Sequence, residues 1–318
     1  MFPYQGLIPR DEAIFAGVIM TKIASDPQDI VGGLNFLSGK GICFICGAIK
    51  SGTTWIQLLL DAHPEIRCRG EGHLVNVLAK ELGQAINNYN KYIHGKNTTI
   101  FKEIEGFPLF SQENFHDLCR FSFALLFGQY GVTDEIKIVA EKTPDNIRHL
   151  DFLKNLFPES KFIHVIRDGR DVAVSGWYHN LRVTPNWARE KFGNIDAFAE
   201  NMARNWSREI EIVEAFGEQN PGVMHEIRYE DLLHDPAAEL ARILEFLGVE
   251  ASDDIVALCC EKASFESLTG GRRAGHEDQS SHFRKATTGQ WREELSSKTL
   301  QRFYSIAGVQ LERYGYAQ

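Results

Sequence analysis

A short apolar run, Ile42-Cys43-Phe44-Ile45-Cys46, leads directly into Gly47-Ala48-Ile49-Lys50-Ser51-Gly52-Thr53-Thr54-Trp55. The run has the length and composition of a buried strand, and Thr54 to Asp61 has the pattern of a helix. The turn between them carries one lysine, three hydroxyls and a glycine that lets the backbone approach a ligand closely. A strand, such a turn and a helix start together make an anion site, because free N–H groups converge there and the helix dipole favours negative charge. The stretch predicts phosphate binding. A kinase-type loop would place lysine after the second glycine, in G-x-x-x-x-G-K-[ST]. Here Lys50 precedes Ser51-Gly52, and that template fails.

A second anion site is predicted further along. Lys161 to Ile166 alternates and is β-branched, so it reads as a strand. It ends at Arg167, and Asp168-Gly169-Arg170-Asp171-Val172-Ala173-Val174-Ser175 turns into a helix. Arg167 offers a rigid guanidinium fork and Ser175 a hydroxyl donor, so both can converge on one anion. The competing reading pairs Arg167 and Arg170 with Asp168 and Asp171 in surface salt bridges. Downstream, Val223 to Arg228 is strand-like and runs into Tyr229-Glu230-Asp231-Leu232, ahead of a helix capped by Asp235 with Pro236 first.

These segments, in this order, resemble the PAPS-dependent sulfotransferases (PAPS is 3′-phosphoadenosine 5′-phosphosulfate, and PAP its desulfated product). Lys50-Ser51-Gly52-Thr53-Thr54-Trp55 resembles their 5′-phosphosulfate loop, with Ile49 where proline is common. The R-D-G-R-D-V-A-V-S run resembles their 3′-phosphate motif, which implies Arg167 and Ser175 on that group. By the same resemblance Tyr229 lies against the adenine, and Phe265 of Ser264-Phe265 stacks on it opposite Trp55. The stretch from Phe283 to Trp291 resembles the family's late loop over the 3′-phosphate, supplying Arg284, Lys285 and residue 286. Ala286 stands where glycine is usual.

The resemblance extends to the reacting end. Lys142, in Val139-Ala140-Glu141-Lys142-Thr143-Pro144, resembles the lysine of a K-T-H-L-P element, but Thr143-Pro144 replaces the histidine base. Leu60 to Cys68 resembles the region in tyrosylprotein and bacterial sulfotransferases that precedes a glutamate base, and Glu71 stands there. His73 is a rival base, since a histidine side chain is suited to proton abstraction near neutral pH. A third reading pairs Glu71 with Arg69 or Lys142 as an ion pair. If residues 69–74 are extended, residues 71 and 73 share a face.

The alternation of helical patterns with short apolar strands predicts an α/β layered fold with a largely parallel sheet. The resemblance sharpens this to a three-layer sandwich of the P-loop-like sulfotransferase kind. One domain over 1–318 is expected, with a lead-in at 1–40, motifs over 41–291 and a C-terminal helix at 292–318. A net charge of −9 argues against a nucleic-acid polymer as partner, so Lys50, Arg167, Arg284 and Lys285 must hold a polyanionic nucleotide locally. The expected acceptor is a hydroxyl on a small molecule, with a homodimer as an open assembly. No metal is expected, since no Cys or His spacing fits a zinc site. Cys43 and Cys46 face opposite sides of a strand and read as buried thiols. No span of about 18 apolar residues and no signal-peptide pattern occurs, which predicts a cytoplasmic protein.

Acceptor walls are expected at 72–110, at 177–200 with Trp177, Tyr178 and Trp187, and at 267–283. Those aromatics equally suit a core. Two other functions stay open: a non-catalytic nucleotide-binding protein of this fold, and a P-loop phosphotransferase, which would need a Walker lysine and an Mg²⁺ aspartate.

Overall fold

The computed structural model describes residues 39–316, leaving out 130, 274, 277, 279, 280, 282–284 and 286. The lead-in and the calls on Phe283, Arg284 and Ala286 therefore lie outside the described residues.

Among the described residues five strands form one parallel sheet in the order β2-β3-β1-β4-β5. They are β1 Gly41–Gly47, β2 Ile66–Gly70, β3 Ile138–Lys142, β4 Lys161–Ile166 and β5 Met224–Arg228. The chain starts at the centre, fills one side with β2 and β3, then crosses to β4 and β5. The strand order thus reverses around β1, and a crevice opens beyond the carboxyl ends at that switch point. The turn after β1 lies there, as does everything that follows β3 and β4.

Both sheet faces are covered, so the strands are apolar on both sides rather than alternating. Cys43 and Ile45 join one cluster with Ile56, Leu59 and Leu60 of α1 (Thr53–Asp61). Phe44 and Cys46 join another on the opposite face. The two cysteines therefore point apart, as their spacing predicts, and all six cysteines are free thiols. Along the chain come α2 (Lys80–Thr99), α3 (Gln112–Gly128), α4 (Leu150–Leu156), α5 (Gly169–Val183), α6 (Pro185–Phe192) and α7 (Ile195–Gln219). There follow α8 (Tyr229–His234), α9 (Pro236–Leu247), α10 (Asp253–Lys262), α11 (Phe265–Thr269), α12 (Trp291–Glu294) and α13 (Ser297–Arg313). Helices α1, α9 and α10 cover one face. Helices α3, α4 and α7 cover the other, where Phe44, Phe123, Phe127 and Phe162 are fully buried. Each such ring contributes about 1.5–3 kcal/mol by leaving water.

The expected start of α9 is observed: Asp235 accepts from the Ala238 N–H at 3.0 Å with Pro236 opening the helix. Ser111 with Asn114 forms a reciprocal cap on α3. Two of the stretches expected to wall the acceptor are largely helical. Residues 177–200 are helical, and Trp177 takes the core alternative, packing on Phe198 inside a core built by α5, α7 and α13. Tyr178 and Trp187 flank that same core. The 72–110 stretch is mostly α2, entered through a wider π-helical turn at Leu74–Ala79. Its asparagines sit on a helix with no buried residue, where polarity mimics a loop.

Candidate active site

The turn after β1 has the tight geometry an anion site needs. Lys50 (φ 76°) and His73 (φ 47°) are the two non-glycine left-handed residues among those described, and both lie at the crevice. Such backbone is held only where its surroundings over-determine it. At Lys50 the Ser51 N–H donates to the Ala48 carbonyl at 3.0 Å, and Arg167 Nη1 donates to the Lys50 carbonyl at 3.2 Å. Gly52 (φ 106°) leaves no room for a side chain, since a Cβ there would lie 2.5 Å from the Tyr229 ring. Past it, α1 begins at Thr53, and its first N–H groups have no carbonyl a turn earlier. The Ser51 hydroxyl is buried with no partner among the described residues.

Arg167 lies just beyond β4, its guanidinium packed over the Tyr229 ring at 4.4 Å. Its Nη2 donates to the Thr287 carbonyl at 2.9 Å, and its buried Nε has no partner among the described residues. The salt-bridge alternative holds for the other arginine. Arg170 is buried against Asp168 at 2.7 Å and stacked on Trp291. Asp171 stays 4.0 Å from Arg167, because its carboxylate accepts from the Gly289 N–H at 2.6 Å and the Trp291 N–H at 3.2 Å. Burial pushes its pKa up. Arg167 is thus left facing the crevice, while Asp171 fastens the 287–291 segment over it.

The remaining expected positions are spread around this centre. Trp55 meets Tyr229 edge-on at 6.2 Å and donates to the Ala263 carbonyl at 2.9 Å, next to Ser264. The Ser264 hydroxyl is engaged in capping α11, accepting from the Ser267 N–H at 3.1 Å. Phe265 is half-buried beneath the Arg272 guanidinium at 5.0 Å. Ser175 is half-buried in the second turn of α5, and Lys285 is half-buried with its carbonyl accepting from Gly275 at 2.8 Å.

Beside the turn, Lys142 projects from the end of β3. Its buried ammonium donates to Thr54 Oγ1 at 3.2 Å and to Glu71 Oε1 at 2.6 Å. Arg69 pairs instead with Asp61, so the ion-pair reading of Glu71 applies to Lys142. The Glu71 side chain is 41% exposed, leaving Oε2 open. His73 Nε2 lies 3.6 Å from that oxygen. Residues 71–73 are not strand, yet the two side chains still meet, because the left-handed turn at His73 brings them together.

The tautomer of His73 follows from its neighbours. Asn76 Nδ2 lies 3.1 Å from Asp145 Oδ2, an acceptor, and 3.2 Å from His73 Nδ1. One amide hydrogen serves each, so Nδ1 accepts and Nε2 carries the proton. His73 presents a donor toward Glu71, which suits it poorly as a base.

Two groups escaped sequence reasoning. Glu141 is buried and accepts from the Gly72 N–H at 2.8 Å, from Thr143 Oγ1 at 2.5 Å and from Asn146 Nδ2 at 2.8 Å. Burial raises its pKa, against the pull of those donors. A carboxylate inside an otherwise apolar strand was the available signal. The other is Arg182, whose charge acts on Lys50. Burial first, then Arg182 and Arg167, push the Lys50 ammonium down to about 8, against an opposing pull from Glu71. Arg167 and Lys50 meet at the turn, where the arginine donates to the lysine's carbonyl.

Next to Glu71 opens a cleft of about 590 Å³, walled by Gly72, Leu74, Leu126 and Gln129. Among the described residues no His, Cys, Asp and Glu cluster could hold a metal, and no helix is long and apolar enough to cross a membrane.

Comparison with known proteins gives concordant matches. A family model described as the sulfotransferase family matches residues 43–253. Protein-tyrosine sulfotransferase A of Caenorhabditis elegans is 26% identical over 217 residues, covering 67% of this chain and 51% of that protein. Protein-tyrosine sulfotransferase 2 of Gallus gallus is 25% identical over 218 residues, covering 68% and 53%. The chain spans about half the length of these relatives. A mouse sulfotransferase solved in complex with PAP superposes with a TM-score of 0.53 at 18% identity, covering 92% of this chain and 95% of that one. That likeness speaks to the fold.

Proposed function

The chain belongs to the sulfotransferase family, and from that premise we propose that it transfers the sulfuryl group of PAPS to an acceptor hydroxyl and releases PAP. One observation carries the reading: the Lys142 ammonium lies at 3.2 Å from Thr54 of the anion-binding turn and at 2.6 Å from Glu71. A single cation so joins the predicted donor loop to the predicted proton acceptor. In the transfer the acceptor oxygen bonds to sulfur while the bond from sulfur to the bridging oxygen breaks. The electron pair stays on the 5′-phosphate of PAP, and the acceptor proton passes to Glu71 Oε2. Lys50 and the first N–H groups of α1 neutralise the leaving oxygen, so positioning and charge do most of the work.

For the donor, we assign the 5′ end to residues 50–54, the 3′-phosphate to Arg167, Ser175, Arg284 and Lys285, and the base to Trp55, Tyr229 and Phe265. The unpartnered Ser51 Oγ and Arg167 Nε support this, since buried polar atoms are normally satisfied. The acceptor is a hydroxyl, on a small molecule as the sequence leads one to expect, or on a protein tyrosine as the names of the relatives point to. The cleft beside Glu71 admits a group of either kind.

The direct test is calorimetric titration with PAP and AMP. PAP should bind at least tenfold more tightly, because AMP lacks the group held by the second cation set. Equal affinities would leave Arg167 and its neighbours without a nucleotide role. A transferase test follows the same logic. Arg167→Ala removes a charge-assisted contact of about 1.5–3 kcal/mol, and should raise KM for PAPS about ten- to a hundredfold with a smaller change in kcat. A dominant loss in kcat would assign Arg167 to the wrong phosphate.

A further inference from the structure

The end of β3 grips the 70–73 loop from two sides. Lys142 reaches one way, to Thr54 and to the Glu71 carboxylate. Glu141 and Thr143 turn the other way, since alternate residues of an extended chain share a face. Their contacts are with the backbone of the loop. Glu141 Oε1 accepts from the Gly72 N–H at 2.8 Å, and Thr143 Oγ1 accepts from the His73 N–H at 3.3 Å. The Thr143 hydroxyl donates in turn to Glu141 Oε1 at 2.5 Å, so the two side chains form one clamp on two consecutive N–H groups. Asn146 Nδ2 completes it, donating to Glu141 Oε2 at 2.8 Å.

Both clamp residues are buried. Burying a carboxylate is costly unless donors surround it, and an apolar residue would serve the packing of this strand better. What the carboxylate adds is the grip on the loop. Gly72 is cut to receive it, since a Cβ there would lie 3.2 Å from Glu141 Oε1. On the other flank of Glu71, Gly70 pairs in register with Lys142. The backbone of Glu71 is therefore held before and after by the last residues of β3 and the one that follows. The Glu71 side chain is 41% exposed and has little packing of its own to fix it. The left-handed turn at His73, which closes the loop, is held by the same clamp.

We infer that Glu141 and Thr143 are positioning residues for the transfer, holding the 71–73 backbone so that the Glu71 carboxylate meets Lys142 with Oε2 open to the acceptor. The inference rests on the reading of Glu71 as the proton acceptor. Neither clamp residue touches donor or acceptor, and both act through the loop.

The test compares Thr143→Val, which keeps the shape but removes the acceptor for His73 and the donor to Glu141, with Thr143→Ser, which keeps the hydroxyl. Turnover of PAPS is followed as PAP release, with p-nitrophenol as acceptor and with water alone. Thr143→Val should lower kcat about ten- to a hundredfold, the scale of a small misplacement of a reacting group. The KM for PAPS and the Kd for PAP should stay within about threefold, and Thr143→Ser should stay within about threefold of wild type throughout. The deciding measurement repeats Thr143→Val in Glu71→Gln, where no carboxylate is left to misplace. There it should lower the remaining rate less than about twofold. Equal losses in both backgrounds would make Thr143 a general structural residue and overturn the inference. A Thr143→Val enzyme at the wild-type rate, or a Thr143→Ser enzyme as slow as Thr143→Val, would overturn it too. Hydrogen exchange at the amides of residues 72 and 73 needs no acceptor. It should quicken at least about tenfold in Thr143→Val, and also in Glu141→Gln, which turns one accepting oxygen into a donor. Unchanged exchange in both would show that the clamp does not hold the loop. Wild-type turnover by Glu71→Gln alone would instead remove the reading of Glu71 as base, and this inference with it.

Discussion

Glu71→Gln is expected to lower kcat by about 10²–10⁴, the usual contribution of a general base, while leaving the Kd for PAP within about threefold. The amide keeps an oxygen that can accept from Lys142, so the buried ammonium is not left bare and the fold survives. What it loses is the capacity to take a proton. His73→Asn should cost much less, since the hydrogen on Nε2 and the contact from Asn76 give His73 a donor's part beside Glu71. Steady-state rates at saturating PAPS, alongside PAP titrations, separate these outcomes. If Glu71→Gln turned over at the wild-type rate, the carboxylate would be only the structural partner of Lys142. The chain could then be a nucleotide-binding protein whose base lies elsewhere or is lacking.

Lys50 should give the second large effect. Lys50→Met is expected to reduce kcat about 10²–10³-fold, the scale seen when a preorganised charge or donor is withdrawn from a developing anion. Its pH behaviour is a separate check. With the ammonium pushed down to about 8, ligand-free protein holds the charge below that pH and loses it above. The value of kcat/KM reports groups of the free enzyme, so it should fall as pH rises through about 8. An arriving phosphosulfate favours the charged form, so binding near pH 8 should take up a fraction of a proton, seen as a buffer-dependent calorimetric enthalpy. Lys50→Arg, which does not titrate in this range, should lose that limb while retaining measurable rate. A limb of unchanged position in Lys50→Arg would trace it to another group.

Much of the scaffold could be read in advance because each strand is a short apolar run bounded by a polar turn. The β4 bounds agree with the sequence reading at both ends, and β1, β5 and α1 differ from it by a residue or two. The Asp235–Pro236 start of α9 was legible for a local reason, since one side chain caps and one ring fixes φ. The misread stretches have a common cause. At 177–200 and 72–110, polar and aromatic composition points to substrate walls and hides the helices, which tertiary packing in one case and a solvent-exposed face in the other allow. Around the crevice, order along the chain identified Lys50, Arg167, Lys142 and Glu71. It could not reveal which arginine of the R-D-G-R run faces inward. That depends on Asp171 being committed to two backbone N–H groups more than a hundred residues away. Nor could it reveal Glu141, whose relevance arises only when the 70–73 loop is folded against β3.

The buried carboxylate of Glu141 has an evolutionary consequence. It fastens Gly72, Thr143 and Asn146 to the end of β3, the strand that also presents Lys142. Gly70 crowds the same spot, where a Cβ would lie 2.7 Å from the Lys142 carbonyl. Glu71 is thus moored to the central sheet and not to Leu126 or Gln129 across the cleft. Drift at Leu126 of α3 or at Gln129 can alter which molecule enters without moving the carboxylate relative to the ammonium. An ancestor with this arrangement could change clientele by surface substitutions alone, and its descendants could diverge in acceptor long before they diverged in proton chemistry.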